Sequence, residues 1–258
     1  MKTYLTPLLA IALFFTSCDK NDSDSENARL TVYLTDAPAS YEAVFVDIQG
    51  IEVNYSGDAE SGWESLPVAH PGVYNLLDFQ NGLDTMLVSH SIPAGTLSQI
   101  RLVLGDDNQV KIDGTTYLLE TPSAQQSGLK LNIHANLVAG VDYKLWIDFD
   151  ARKSIVATGN DKYLLKPVIR TYTKAESGSI QGIVLPAATV NMVYAIQDTD
   201  TLGSARPDLV SGMFLIAGLP GGTYMVAIDG GLALPDKIIP DVNVSVGASA
   251  DLGTIELE

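Results

Sequence analysis

From Arg29 onward apolar and polar residues alternate with a period of two, the period of a β-strand. Leu30, Val32 and Leu34 point one way and Thr31, Tyr33 and Thr35 the other, until the turn signal Asp36-Ala37-Pro38. Val44, Val46 and Ile48 then alternate at even positions, whereas Ile51, Val53 and Tyr55 continue at odd ones. That change of parity at Gln49-Gly50 needs one extra residue and predicts a β-bulge. Further alternating runs carry Ile100/Leu102/Leu104, Leu129/Leu131/Ile133 and Tyr143/Leu145/Ile147/Phe149, with Lys130, Asn132 and His134 on the solvent side. The pattern predicts an antiparallel sheet with one wet face. A hairpin is expected at Asp106-Asp107-Asn108, between the strands holding Leu104 and Val110. Helix is scarce: Asp150 is placed to N-cap a short turn beginning at Ala151, and the stretch from Leu83 to Val88 reads as a second helical turn.

Beyond Tyr163 the pattern weakens through Lys174-Ala175-Glu176-Ser177-Gly178, which marks a domain boundary. The remaining chain holds short apolar runs beginning at Gly178, Val190, Met213, Thr223, Val242 and Ile255, separated by Gly/Pro turns. Such spacing predicts a small β-sandwich. The fold class expected for the whole is therefore all-β: an N-terminal antiparallel β-sandwich-like domain with one or two short helices, over residues 29–173, and an Ig- or transthyretin-like sandwich over 174–258.

The first 28 residues break the alternation. Lys2 precedes an apolar run from Leu8 to Phe15, and Thr16-Ser17 lead into Cys18, the single cysteine of the chain. About eight apolar residues are too few for a membrane span, which needs about 20, so residues 1–17 read as a signal peptide. An ordinary secretory signal would leave a lone exposed thiol in an oxidising compartment, with no second cysteine to pair it. The pattern Leu13-Phe-Phe-Thr-Ser-Cys18 resembles the lipobox of bacterial lipoproteins, which implies a diacylglycerol on the Cys18 sulfur and a membrane partner through that lipid. Residues 18–28, rich in Asp, Ser and Asn, have almost nothing to bury and read as an acidic, solvated tether.

The chain carries 15 Lys+Arg against 31 Asp+Glu, a net charge of −16, which repels nucleic acid and anionic headgroups and excludes DNA or RNA partners.

Two family resemblances rest on longer motifs. Gly178-Ser-Ile-Gln-Gly-Ile-Val184, Gly212-Met-Phe-Leu-Ile-Ala-Gly-Leu-Pro-Gly-Gly-Thr-Tyr224 and Leu252-Gly-Thr-Ile-Glu-Leu257 resemble the carboxypeptidase regulatory-like family, a transthyretin-type sandwich classed with carbohydrate-binding-like folds. Its usual Asp-x-x-Gly-x-Pro-Leu hairpin is replaced here by Leu185-Pro186-Ala187-Ala188. The larger segment carries Leu34-Thr-Asp-Ala-Pro38, Asn75-Leu-Leu-Asp78, Gln99-Ile-Arg-Leu102, Pro122-Ser123, Asp148-Phe-Asp-Ala-Arg-Lys-Ser-Ile-Val156 and Leu165-Lys-Pro-Val-Ile-Arg170. It resembles the Bacteroidetes lipoprotein family catalogued as domain of unknown function 4382, which implies a β-rich envelope domain and no set activity. In enterobacteria an aspartate straight after the lipidated cysteine is associated with inner-membrane retention. In Bacteroidetes an acidic run resembles the signal for outer-surface display, and the family resemblance favours this outer-membrane, outward-facing location.

Candidate chemistry is thin. No Gly-x-Ser-x-Gly elbow is present, and His70, His90 and His134 stand apart without metal-ligand spacing, so no metal, cofactor or nucleophile is expected. Asp148 and Asp150 lie on one polar strand face near Trp146, the arrangement a glycosidase uses; the bland account makes Asp150 a helix cap and pairs Asp148 with Lys144. Asp198-Thr-Asp-Thr begins like a calcium loop, but Leu202 stands at the third ligand position and Leu209 at the closing glutamate, so a turn is expected. Tyr33 and Trp146 fall on polar strand faces and Trp63 in a Gly/Ser/Glu loop, candidates with Asp148 for stacking on and binding a sugar, although cross-strand packing uses the same aromatics.

Three functions stay open: a non-enzymatic surface module binding glycan or protein ligands, a subunit or accessory of an envelope or fimbria-like assembly, and a carbohydrate-active enzyme using Asp148 or Asp150. The anchor is testable by itself. Cys18→Ala should leave the β domains folded yet release the protein from the membrane fraction, because the acidic tether has no affinity for anionic lipid. Labelling cells with an alkyne fatty acid and fractionating them checks this; an alanine variant still in the pellet, or an unlabelled wild type, would contradict it.

Overall fold

A computed structural model describes residues 26–58, 60–121 and 128–258. The signal segment 1–17, Cys18, most of the acidic tether and Pro122-Ser123 lie outside the described residues. The chain is nearly all β. Its first part holds β1 (Asn27–Ala37), β2 (Ala43–Asn54), β3 (Trp63–Leu66), β4 (Gly72–Asn75), β5 (Thr85–Pro93), β6 (Gly95–Leu104) and β7 (Gln109–Ile112). There follow β8 (Thr115–Glu120), β9 (Leu129–Leu137), β10 (Asp142–Asp150), the short helix α1 (Ala151–Ser154), β11 (Ile155–Gly159), β12 (Lys162–Leu165) and β13 (Ile169–Tyr172). The second part holds β14 (Gly178–Leu185), β15 (Met192–Gln197), β16 (Asp200–Ala205), β17 (Met213–Leu219), β18 (Gly222–Asp229), β19 (Lys237–Val244) and β20 (Ser249–Glu256).

In the first part a sheet ordered β13-β10-β1-β5 covers a larger one ordered β11-β12-β8-β7-β2-β6-β9, and Leu30, Val32, Leu34, Ile100, Ile147 and Phe149 help fill the core between them. In the second, sheets β17-β14-β20 and β16-β15-β18-β19 enclose a separate core that includes Ile180, Val193, Ile216 and Val226. Two apolar cores in one chain give two sandwich-like units.

β2 organises the large sheet, pairing with β3 and β4 on one side and with β6 and β7 on the other. The expected bulge is present: the β2–β6 register shifts between Ile48 and Gly50, so Val44, Val46 and Ile48 and then Ile51 and Val53 all reach the core. The hairpin expected at Asp106–Asn108 is not. β6 and β7 lie end to end along β2, and residues 105–108 form a loop that keeps the line. Within it the fully buried Asn108 replaces a ladder partner: its Oδ1 accepts from Asp47 N (2.9 Å) while its Nδ2 donates to Gly105 O (2.7 Å). A Cβ at Gly105 would come within 2.0 Å of the Asp47 carboxylate, so only glycine fits.

Three other expectations need correction. The segment from Leu83 to Val88 is not helical; β5 starts at Thr85, and the only nearby helical turn is the 3-10 turn Leu76–Phe79. A short apolar run fits either structure, and pairing with β1 decides. Three of the sheets are mixed rather than purely antiparallel, since β1 runs parallel to β10, β8 to β12 and β14 to β20, and only β16-β15-β18-β19 is antiparallel throughout. Residues 145–149 of β10 are all buried, so the face predicted to be wet is covered, as central parallel strands commonly are. The α1 expectation holds: Asp150 caps the helix by accepting from Lys153 N at 2.9 Å. In the second unit the Leu-Pro-Gly-Gly-Thr-Tyr turn is locked by the buried Tyr224, whose hydroxyl donates back to Pro220 O at 2.8 Å.

Asn108→Ala should leave Asp47 N buried without an acceptor. An orphaned buried group costs about 1–3 kcal/mol, and urea unfolding should show that loss with an unchanged slope.

Candidate functional site

The structure brings together three of the four residues singled out for ligand contact, but as a junction between the two units. β1, β10 and β13 are neighbours, and Tyr33, Trp146 and Tyr172 stand in register across them. Trp146 stacks on Tyr33 (4.9 Å between centroids) and on Tyr172 (5.9 Å), near parallel to both. Its Nε1 donates to Asp84 at 2.7 Å, and the Lys174 ammonium lies 4.5 Å from the ring centre. Trp146 is 5% exposed, so the expectation of a free stacking surface is corrected: both ring faces already have tyrosine partners.

Asp148 is likewise spoken for. Its partner is Arg170 rather than Lys144, through Arg170 Nε to Asp148 Oδ2. The guanidinium then crosses to the second unit, with Nη1 donating to Leu202 O and Gly218 O (3.1 Å each) and Nη2 to Ala217 O (2.8 Å). Those carbonyls belong to β16 and β17, each the outer strand of its sheet. Gly218, at φ +69°, lies flat against Tyr172, and a Cβ there would meet the ring at 2.5 Å. Burial pushes the Tyr172 hydroxyl far up, with Asp148 adding to the effect, so the ring stays neutral. Asp150 caps α1 and pairs with Lys153 at 3.1 Å. A carboxylate paired with a guanidinium and one serving as a cap do not form the acid and base flanking an opening that glycoside hydrolysis needs. Trp63 lies elsewhere, half-buried on the large sheet with the Arg101 guanidinium 3.9 Å above its ring.

Above the junction the units part, leaving a cleft of about 840 Å³. One wall is the 3-10 turn and the loop after it, with Leu77 and Leu83. Thr35 pins this loop to β1 by donating to Phe79 O (2.9 Å) and Leu83 O (3.0 Å), and Gln80 donates to Asp36 at 3.1 Å. Asp36 is buried, and that burial raises its carboxyl well above the ordinary range. Asn81 and Gly82, at φ +54° and +83°, reverse the chain, and Asn81 Nδ2 reaches Arg206 O at 2.9 Å. The other wall is the outer face of β14 and β17, with Ile183, Met213 and Leu215. At the rim, Asp208 Oδ1 accepts from Ser211 N (2.7 Å), Ser211 Oγ (2.8 Å) and Val210 N (3.2 Å), bonds that hold its carboxyl below the usual range. Asp251 is lowered too, chiefly by Gly253 N at 2.9 Å. Among the described residues no group of three His, Cys, Asp or Glu side chains is placed to hold a metal.

A family model for the β-rich first unit matches residues 27–167, more than half of the chain. The chain belongs to the family described as domain of unknown function (DUF4382). No curated protein matches it. Among solved structures, this DUF4382 chain is similar to the Bacillus anthracis TIE protein, with 7% identity and a TM-score of 0.24, over 90% of this chain and 34% of that one. It thus spans about a third of that protein's length. It is also similar to GBS52, the minor pilin of Streptococcus agalactiae, with 9% identity over 88% of this chain and 94% of that one and a TM-score of 0.24. A third is a putative cell adhesion protein from Bacteroides fragilis, with 11% identity, 89% and 93% coverage and a TM-score of 0.23. Overlaps at this level carry no functional meaning.

Sequence reasoning missed Arg170, Tyr172 and Gly218, and it missed the cleft. A signal the alternation passes over is the turn Pro207-Asp-Leu-Val-Ser-Gly212, with two apolar residues at a loop tip that forms the rim. Removing one partner of a fully buried ion pair costs about 3–5 kcal/mol. The Arg170 side chain is 34% exposed, so Arg170→Ala should cost less, ~2–3 kcal/mol, and differential scanning calorimetry should resolve its unfolding into two transitions where the wild type shows one.

Proposed function

We propose that this protein is a lipid-anchored, non-enzymatic binding module of the bacterial cell envelope, displayed on the outer surface, whose contact surface for glycan or protein ligands is the cleft between its units. On this reading residues 1–17 are the signal peptide, Cys18 carries the lipid, 18–28 form the tether, and 29–173 and 174–258 are the two domains. The observation that carries it is directional. β1 starts at Asn27, next to the tether, and ends at the loop that walls the cleft, where Thr35 holds that loop. Eight strand residues at about 3.3 Å each span roughly 26 Å, so on this reading the cleft lies at the end of β1 away from the tether. An apolar cleft lined by no cysteine or histidine, in a fold whose described residues hold no group of three metal-ligating side chains, suits capture rather than turnover.

A role as a subunit of an envelope assembly is the second reading, favoured by Val210 and Leu232, apolar loop tips that are 91% and fully exposed. Purified residues 19–258 should retain a ligand from a glycan array or a panel of host-matrix proteins. A folded protein that binds none of them, but crosslinks into a stable complex on whole cells, would replace the first reading by the second.

A further inference from the structure

We infer that the cleft receives an extended segment of a partner protein, with apolar residues at alternate positions and Lys or Arg flanking them. The inference rests on the binding-module reading and narrows its ligand. The volume, about 840 Å³, has room for a few residues of extended chain. The apolar part of the lining is mostly aliphatic and open to solvent, with Leu83 63%, Met213 58% and Leu209 54% exposed. Contiguous apolar surface of this kind on a chain with 31 acidic residues marks a contact face.

A sugar is a poor match for this lining. Stacking on a glycan ring uses a flat, exposed aromatic, and the one aromatic lining the cleft, Phe214, is 3% exposed and belongs to the core of the second unit. Two carboxylates at the rim stand against the single guanidinium of Arg206 in the lining, and this balance disfavours anionic ligands. All three hydrogen bonds to Asp208 fall on Oδ1, which leaves Oδ2 for a cation. Asp251 stands on the facing β20 side, bonded to Gly253 N and to Gln181. Two acidic rims around an aliphatic floor complement a segment that is apolar in the middle and basic at its ends. In an extended chain alternate side chains share a face, so residues at i and i+2 enter between Leu83 and Met213 while their neighbours reach the rim.

The test is phage display of random 12-residue peptides against residues 19–258, followed by fluorescence anisotropy of the enriched sequences made synthetically. Enriched peptides should hold at least two alternating apolar residues and at least two Lys or Arg. Met213→Glu should weaken their binding at least tenfold, and Asp208→Asn combined with Asp251→Asn about three- to tenfold with a flatter salt dependence. Equal thermal melts of the variants would exclude unfolding as the cause. Absence of enrichment, enrichment of acidic peptides, or affinity unchanged in Met213→Glu would each overturn the inference. So would a wild type that sediments as a dimer and a Met213→Glu variant that sediments as a monomer, since the cleft would then hold a second copy. If the variant still binds the array or the matrix panel, the binding-module reading stands and only the assignment of this cleft fails.

Discussion

The arrangement of the two units hangs on one guanidinium. Arg170 is held by Asp148 in the first unit and donates to three carbonyls of the second, on Leu202, Ala217 and Gly218. A planar fork with five donors suits this task, because each N–H leaves in a fixed direction and meets a different acceptor. An ion pair of this kind is weak evidence for stability by itself, since desolvation offsets much of the attraction. Here Asp148 Oδ1 is also left without a partner. What the contact supplies is orientation, and the ladder Tyr33–Trp146–Tyr172 with Gly218 packed on its end adds the apolar area that keeps water out.

That orientation in turn makes the cleft. The units touch closely along β13 and again where Asn81 and Gly82 meet Arg206 and Leu215, and between and beyond these contacts their surfaces diverge. At the upper contact the fit is incomplete, because Asn81 Oδ1 and Arg206 Nε are buried without partners. Two unsatisfied groups weaken that side of the junction relative to the Arg170 side, where four donations are made.

Much of the fold was legible in the alternation of residues. The parity change at Gln49-Gly50 read out as a bulge, and the first residues of β14, β17 and β18 lie at or within a residue of their expected starts, because period two and Gly/Pro turns are local signals. Pairing is not local: nothing near Leu30 announces that β1 runs parallel to β10, more than a hundred residues away. The misreading of Trp146 and Asp148 has the same root. Alternation correctly put them on the face opposite Ile147, but a face with polar residues reads as wet from one strand alone, and here another layer of the same chain covers it. The cleft was illegible because its walls, around Leu83 and Met213, are brought together only by the docking of the units.

The capping of β16 and β17 by Arg170 also has an order in time. Both are outer strands whose spare carbonyls would otherwise offer a template to another chain. Synthesis proceeds from the N-terminus, and domains fold largely as they emerge. β13 and its arginine precede every strand of the second unit along the chain, so at the ribosome and again on export the covering group emerges before the edge that needs it. A reversed order of the two units along the gene would expose that edge for as long as the remaining chain takes to be made, so the sequence of the units is itself a safeguard against misassembly.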